Sequence, residues 1–147
     1  MNVKAILAAK SRNLGGDIVT IEPTATLAAA VTLLASLKIG AVIIPGAGGR
    51  LAGILSERDI VRALADKGAD ALALPVGQVM TRNVMTCAED DDVASLMERM
   101  TSGKFRHLPA LRDGKLIGVV SIGDVVKERV QAAERESEAL RDYIQTA

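Results

Sequence analysis

The sequence repeats itself once, and this duplication constrains the fold more than any other feature. Residues 84–87 resemble residues 18–21, which lie 66 positions earlier, and residues 116–121 resemble residues 51–56, which lie 65 positions earlier. The one-residue change in spacing falls on a glycine-rich loop, where a turn absorbs an extra residue cheaply. A unit of about 60 residues buries only about 60% of its chain surface and is marginally stable alone. We therefore predict two halves that need each other.

Each half is predicted to fold in the order β-α-β-β-α, which gives a mixed α/β architecture of the α+β class. The elements predicted for the first half are a strand at 17–21, a helix from Leu27 to a stop at Gly40, strands at 42–44 and 51–55, and a helix at 57–67. The second half repeats this order with a strand at 84–87, a helix around 93–100 and a hairpin turn at 113–114. The short connections between paired strands predict antiparallel hairpins.

The predicted boundaries are a first repeat at 15–73, a linker at 74–83, a second repeat at 84–130 and a C-terminal helical extension at 131–147. The repeats are expected to pack sheet to sheet with pseudo-twofold symmetry, and a short helix precedes them. A long last helix continues beyond Tyr143. Several apolar residues lie near one of its faces: Val126, Val130, Ala133, Leu140 and Ile144. Such a stripe more often docks on its own fold or on a dimer mate than on a foreign protein.

The composition leaves few groups for chemistry. Eighteen basic and eighteen acidic residues give a formal net charge of zero, which argues against a protein that grips nucleic-acid backbones. Phe105 and Tyr143 are the only aromatic residues, so base-stacking platforms are nearly excluded. One cysteine, Cys87, and one histidine, His107, permit no internal disulfide and leave little room for a metal site or a catalytic triad. We predict no catalytic residue and no metal.

The sequence also argues against a membrane protein. No segment approaches the ~18 consecutive apolar residues that a membrane helix needs. The brief apolar run after Lys4 is closed by Lys10 and Arg12 too early for a signal peptide. We expect a soluble, cytoplasmic protein with a reduced cysteine and no membrane partner.

Two tetrapeptides, 56–59 and 121–124, each follow a buried strand and open a helix. One interpretation is a capping box, in which a serine caps the helix and the aspartate reaches back to it. The other is a ligand site, because free helix N–H groups and a serine hydroxyl accept an anion and an aspartate binds ribose hydroxyls. Their recurrence at the same place in both halves favours function, and the two interpretations are compatible.

The two halves differ where the first helix of each half ends. Arg106 and His107 stand in the second half, and the aligned residues of the first half are Gly40 and Ala41. If the halves pair about a pseudo-twofold axis, the two clefts between them cannot be equivalent. One is predicted to be cationic and suited to phosphate, and the other more open or less charged.

The chain resembles a tandem pair of CBS (cystathionine-beta-synthase) domains, called a Bateman module, over about residues 15–130. The resemblance rests on four segments in this order: 53–59, 79–81, 105–109 and 114–124. It implies two β-α-β-β-α units packed through their sheets and a homodimer shaped as a flat disk. It also implies adenosine ligands in the clefts between the halves: AMP, ADP, ATP, or sometimes NAD or S-adenosylmethionine.

The resemblance further implies which residues contact the ligand. Asp59 and Asp124 match the ribose-binding aspartates of the family. Ser56 and Ser121 match serines whose hydroxyls lie near the phosphate. Thr20 and Thr86 match first-strand threonines near adenine or ribose. The basic pair that contacts phosphates corresponds to Arg106 and His107. The slot for adenine corresponds to Val84, Met85, Leu108 and Pro109.

The first half departs from the family pattern at Gly40 and Ala41, which lack the basic pair. Arg58 or Lys38 would have to substitute there. Gly123 completes the set of implied binding residues at the start of the last helix.

The resulting prediction is a regulatory module that senses an adenine nucleotide and catalyses no reaction. AMP is the first candidate, followed by ATP, ADP or NAD(H). The ligand is expected to bind best in the cleft served by Asp124, Ser121, Arg106 and His107. The output would pass through the geometry of a homodimer or through an unidentified protein target. The alternatives are a ligand-free structural or interaction module and, less favoured, a nucleic-acid-binding protein or an enzyme that uses His107.

Overall fold

The computed structural model describes residues 2–12 and 18–146. The helices are α1 (Val3–Arg12), α2 (Leu27–Leu37), α3 (Glu57–Lys67), α4 (Val76–Val79), α5 (Val93–Gly103) and α6 (Ile122–Thr146). The strands are β1 (Ala41–Pro45), β2 (Leu51–Ser56), β3 (Cys87–Ala88), β4 (His107–Arg112) and β5 (Lys115–Ser121), and 3-10 segments occupy Ala47–Gly49 and Gly68–Ala73. The predicted positions 15, 17 and 147 lie outside the described residues.

Helices α2 and α5 occupy equivalent places, and each ends at a lysine in the left-handed conformation. α2 begins after Thr26, whose side-chain oxygen accepts a hydrogen bond from the Ala29 N–H at 3.2 Å. Lys38 has a φ of 55° and ends α2, and Lys104 has a φ of 56° and ends α5. The first helix therefore stops before Gly40, the predicted stop, because the chain has already turned at Lys38.

Each repeat contributes an antiparallel hairpin, as the spacing predicts. β1 pairs with β2, with Ile43 opposite Ile54, and β4 pairs with β5, with Leu108 opposite Val120. β3 adds to β4 in parallel. The described sheets therefore have two and three strands.

The first strand of each repeat is shorter than predicted. In the first repeat Thr20 forms an isolated parallel bridge with Ile43, whose N–H donates to the Val19 carbonyl at 3.1 Å. The residue equivalent to Ile43 in the second repeat is Pro109, which has no N–H to donate. Pairing in the second repeat therefore begins only at β3, and residues 84–86 lie outside any strand.

Each repeat has its own hydrophobic core, and each core is completed by the segment that precedes the other repeat. Val3 and Ile6 of α1, 0% and 5% exposed, pack in the core of the second repeat. Val76 of α4, also 0% exposed, packs in the core of the first repeat. This exchange buries the flanking helices and ties the two halves together.

The hairpin tips show the pseudo-twofold relation directly. A Cβ built on Gly49 would lie 3.9 Å from Lys115 Cδ, and a Cβ built on Gly114 would lie 3.2 Å from Arg50 Nη1. Gly49 corresponds to Gly114 and Arg50 corresponds to Lys115 in the repeat, so these two contacts are exchanged by a twofold rotation. The predicted α+β fold of two symmetric repeats is confirmed.

The terminal helices also agree with the prediction, since α1 is short and α6 spans 25 residues. In the part of the chain that the structure describes, no helix has both the length and the apolar composition required to cross a bilayer.

Candidate functional site

The start of α3 holds the first predicted Ser–Asp pair. Oδ2 of Asp59 accepts hydrogen bonds from the Ser56 N–H at 2.9 Å and from the Ser56 hydroxyl at 3.1 Å. The Asp59 N–H lies 3.4 Å from Ser56 Oγ, which completes a reciprocal capping box. The remaining carboxylate oxygen, Oδ1, accepts a hydrogen bond from the Thr81 hydroxyl at 2.9 Å. Asp59 is only 9% exposed, and its partners are all neutral groups.

The start of α6 holds the second pair with the same backbone geometry. Oδ2 of Asp124 accepts a hydrogen bond from the Ser121 N–H at 2.9 Å, and the Asp124 N–H donates to Ser121 Oγ at 3.1 Å. The additional partner is different, because the Lys10 ammonium donates to Oδ2 of Asp124 at 2.9 Å and to the Val119 carbonyl at 2.8 Å. The second aspartate is therefore held in an ion pair across the molecule.

Two glycines allow these cross-molecule partners to approach. A Cβ built on Gly53 would lie 2.7 Å from both Met80 Sδ and the Thr81 carbonyl oxygen. A Cβ built on Gly118 would lie 2.6 Å from Leu7 Cδ2. The segment before each repeat thus runs directly over the last strand of the other repeat, which brings Thr81 and Lys10 to the two aspartates.

A cavity of about 380 Å³ lies between the two sheets and reaches α1. This size is within the range of small-molecule sites. It is lined by residues of both repeats and of α1: Leu7, Lys10, Ile18, Val19, Lys38, Ile39, Gly40, Ala41, Ile43, Ile54, His107, Ile117, Gly118, Val119 and Ser121. Four predicted site residues meet here, namely Gly40, Ala41, His107 and Ser121.

A second cavity, of about 520 Å³, lies between α2 and α3. Lys38 and Glu57 are the charged residues in its lining, which is otherwise mostly apolar. It contains only Gly40 of the predicted binding residues, whereas the cavity between the sheets contains four of them.

The start of α3 reaches across to the second repeat. Arg58 Nη1 donates a hydrogen bond to the Lys104 carbonyl at 2.7 Å, just before the Arg106–His107 pair. Glu57 Oε1 and His107 Cε1 each lie 3.4 Å from a Cβ built on Gly40. Residues 57–58 of the first repeat and residues 104–107 of the second therefore form opposite walls of one region.

Arg106 stands in the second repeat where the first repeat has Gly40. Gly40 lies in the cavity with Ser121, and the twofold relates Gly40 to Arg106 and Ser121 to Ser56. This relation is compatible with Arg106 facing Ser56 and Asp59, and its predicted grouping with Asp124 stays a prediction. Arg106 is exposed and does not line the cavity between the sheets, and its carbonyl accepts the Ile122 N–H at 2.8 Å.

The other predicted residues differ in their accessibility. Thr20, Met85 and Gly123 are exposed, Val84 and Thr86 are half-buried, and Leu108 and Pro109 are buried. The Leu108 side chain is 0% exposed and belongs to the core of the second repeat, so this residue can meet a ligand only through its backbone. The Thr86 carbonyl accepts a hydrogen bond from Arg99 Nη1 at 3.1 Å.

His107 lies opposite Ser121 in the β4–β5 hairpin and close to Glu57 at the start of α3. Burial of the imidazole lowers the pKa of His107 below 6.5, and the positive charges of Lys10 and Arg106 lower it further, whereas Asp124 and Glu57 oppose this shift. His107 is therefore neutral at pH 7 and acts as a hydrogen-bonding group more than as a cation.

Cys87, the one cysteine of the chain, is buried. Burial raises the pKa of the Cys87 thiol to about 11, as expected of a small buried hydrophobic residue on a strand. Within residues 2–12 and 18–146, no three His, Cys, Asp or Glu side chains are grouped closely enough to hold a metal ion.

The sequence analysis missed Lys10 and Thr81 as site residues. Thr81 belongs to the segment 79–81 that carries the family resemblance, so its motif was a signal that could have identified it. Lys10 gave no such signal, because it lies 114 residues from its partner and outside both repeats.

The chain matches known proteins over most of its length. A family model described as CBS domain matches the chain twice, at residues 12–66 and 76–131. The chain belongs to the CBS-domain family. The CBS domain-containing protein CBSX3, mitochondrial, of Arabidopsis thaliana is 31% identical over 97% of this chain and 71% of its own length. The chain spans only 22% of the length of a larger relative, the CBS domain-containing protein CBSCBSPB1 of the same plant.

Solved structures show the same CBS pair. The CBS-domain containing protein ATU1752 from Agrobacterium tumefaciens superimposes with a TM-score of 0.80 and 44% identity, over 87% of this chain and 92% of that one. The CBS domain pair of protein MJ0100, solved in complex with 5′-methylthioadenosine and S-adenosyl-L-methionine, has a TM-score of 0.73 and 25% identity, over 91% of this chain and 98% of that one.

Proposed function

We propose that this CBS pair is a regulatory module that binds an adenine nucleotide and catalyses no reaction, with AMP as the first candidate and ATP, ADP or NAD(H) as alternatives. The observation that carries the proposal is the pair of Ser–Asp helix starts, each facing the opposite repeat. The adenosine compounds bound by the MJ0100 CBS pair support the ligand class.

We place the tighter nucleotide site at Asp59 on charge, because no cation among the described residues engages its carboxylate, although the cavity between the sheets lies on the Asp124 side. The Asp59 carboxylate can accept two ribose hydroxyls once the Thr81 hydroxyl moves away, because a ribose hydroxyl then replaces one hydroxyl-to-carboxylate hydrogen bond with an equivalent one. Phosphate would meet the N-terminus of α3, the Ser56 hydroxyl and the guanidinium groups of Arg58 and Arg106. Val84, Met85 and Pro109 would supply the apolar slot for adenine.

The cleft at Asp124 is the weaker site in this proposal. Its aspartate is engaged by Lys10, and the wall opposite Ser121 carries Gly40 and Ala41 instead of a basic pair. A ribose there must compete with an ammonium group for the same oxygen. Lys38 also lines this cavity and is the cation there that would meet a phosphate.

The output is proposed to pass through a homodimer or a protein target in the cytoplasm. Phosphate binding would bring together residues 57–58 and 104–107 of opposite repeats, and this differential contact is what can change the geometry of the module.

One observation favours a second candidate function. Both aspartates already have intramolecular partners, so the two caps could serve stability alone in a ligand-free structural or interaction module. The two candidates differ in whether any nucleotide binds.

Isothermal titration of nucleotide-stripped protein with AMP, ADP, ATP and NADH separates the two candidates. We expect saturable heat with at least one of them, and loss of that heat in Asp59→Ala. Asp66→Ala is the matched control, since Asp66 is an exposed residue of the same helix. Asp59→Asn, which retains an acceptor for the cap, guards against simple loss of folding. An absence of heat with all four compounds would refute nucleotide sensing by this set and favour the structural module.

A further inference from the structure

Helix α6 has one face on the protein and a second face that the described chain leaves uncovered. Val125 and Glu128 are buried, Ala132 is half-buried, and Arg135 Nη2 pairs with Glu128 Oε1 at 2.9 Å. These residues recur every three or four positions, so they define the side of α6 that packs on the body.

The opposite side of α6 carries the apolar stripe. Val126, Val130, Leu140 and Ile144 are 45%, 51%, 63% and 66% exposed. With Ala133 and Ser137 they form a series whose spacing alternates between four and three residues. This spacing is that of the a and d positions of a coiled coil, with Val130, Ser137 and Ile144 at a and the other three at d.

Charged residues flank this stripe in a pattern that specifies a partner. Arg129 and Glu136 occupy g positions, and Glu134 and Arg141 occupy e positions. In a parallel, in-register pair of helices each g residue faces the e residue five positions later on the other helix. Arg129 would then face Glu134 of the partner subunit, and Glu136 would face Arg141 of the partner subunit.

The antiparallel arrangement is disfavoured by the same charges. The antiparallel register that pairs the whole stripe, with residue 144 opposite residue 126, brings Glu134 and Glu136 each against its own copy. A shift of one heptad relieves this repulsion but leaves one end of the apolar stripe unpaired. Like charges in such positions are destabilising. The charge pattern therefore favours one occupant and one orientation, a second copy of α6 running parallel.

We propose that residues 126–144 of α6 form a parallel two-stranded coiled coil with a second copy of this chain. This seam specifies the surface and the direction of the proposed homodimer, and it requires no nucleotide. Ala133 and Ser137 leave the centre of the seam thinly packed, so we expect a reversible dimer.

Sedimentation of the full chain without nucleotide tests the seam. We expect a concentration-dependent dimer whose dissociation constant rises at least about tenfold in the Leu140→Glu, Ile144→Glu double variant. Gln131→Glu is the matched control, because Gln131 is an exposed residue of α6 off the stripe. Leu140 and Ile144 lie outside both cores, so the variant keeps its fold. A monomer at all concentrations, or a dimer indifferent to the double variant, would overturn the proposal.

Cross-linking tests the orientation. Ile144→Cys should form an intermolecular disulfide in a parallel pair, because the two residues 144 face each other at an a position. In the antiparallel pair residue 144 lies opposite residue 126, which puts the two cysteines about 27 Å apart. Cys87 is buried and does not compete. A dimer that gives no 144–144 disulfide contradicts the parallel arrangement. Because these experiments contain no nucleotide, their outcome is independent of the titration that tests nucleotide binding.

Discussion

The two Ser–Asp helix starts have the same local geometry and different outer partners. In both, the aspartate accepts the serine N–H at 2.9 Å and its own N–H donates to the serine hydroxyl. Asp59 also accepts a hydrogen bond from the Thr81 hydroxyl, whereas Asp124 also accepts one from the Lys10 ammonium. The two repeats therefore have the same helix cap. The sites differ because the segments that precede the repeats supply a neutral partner to Asp59 and a charged partner to Asp124.

This difference sets the cost of admitting a ribose. A hydrogen bond from the Thr81 hydroxyl to the carboxylate is replaced by an equivalent one from ribose at little net cost, whereas breaking the ion pair leaves an ammonium group without its partner. The basic residues reinforce the bias, because Arg58 reaches the Lys104 carbonyl at 2.7 Å on the Asp59 side and the Asp124 side has Gly40 and Ala41. The two clefts should therefore differ in affinity.

The largest expected effect compares the two aspartates. Asp59→Ala should weaken AMP binding about 100-fold, because two hydrogen bonds from ribose to a carboxylate are lost. Asp124→Ala should change the affinity of the tighter site by less than about threefold, because that carboxylate serves the other cleft. Isothermal titration of both variants at matched stability measures the comparison. Equal losses in the two variants, or a larger loss in Asp124→Ala, would show that the clefts have been assigned in the wrong order.

Alanine substitutions at Gly53 and Gly118 should destabilise the protein by different amounts, because different groups cover the two glycines. A Cβ at Gly53 meets the backbone carbonyl of Thr81 at 2.7 Å, so Gly53→Ala should lower the free energy of unfolding by about 2–3 kcal/mol. A Cβ at Gly118 meets the end of the Leu7 side chain at 2.6 Å, which can rotate, so Gly118→Ala should cost about 1 kcal/mol or less. Urea unfolding of the two variants gives both numbers. A greater cost at Gly118 would mean that α1 is held more rigidly than the 79–81 segment.

The features that sequence reasoning predicted are those encoded within a few residues. The Ser56–Asp59 box closes over three residues, and the helix and hairpin patterns repeat in both halves, so local spacing was sufficient. The partners of the aspartates lie 22 and 114 residues away, and nothing in local spacing identifies them. The short first strand of the second repeat depends on Pro109, which has no N–H to donate. Strand β4, which contains Pro109, pairs with residues 23 positions earlier in the chain, so local spacing around residues 84–87 does not reveal the missing donor.

Lys10 offers a way to make the two clefts more alike. Lys10→Ala frees Asp124, and we expect nucleotide affinity at the weaker cleft to rise about tenfold, seen as a second transition in the titration. The loss of a half-exposed ion pair should cost no more than about 1 kcal/mol of stability. Lys4→Ala is the control, because Lys4 is an exposed residue of the same helix. A weaker cleft that is unchanged or worse in Lys10→Ala would show that Lys10 assists binding there.

The smallest effect concerns His107, which is surrounded by charged groups of both repeats and of α1. Because its pKa in the folded protein lies below 6.5, the unfolded chain binds a proton more readily, and stability should fall as the pH drops below 6.5. His107→Gln should remove this component. As the pH is lowered, the free energy of unfolding should therefore fall more steeply in the wild type than in the variant, and the two slopes should differ by no more than about 1.4 kcal/mol per pH unit. Lys10 and Arg106 both lower this pKa, so Lys10→Ala should raise it, as NMR titration of the imidazole can measure. Parallel stability curves for wild type and His107→Gln would show that the imidazole titrates as it does in water. An unmoved pKa in Lys10→Ala would show that His107 does not sense the ion pair at Asp124.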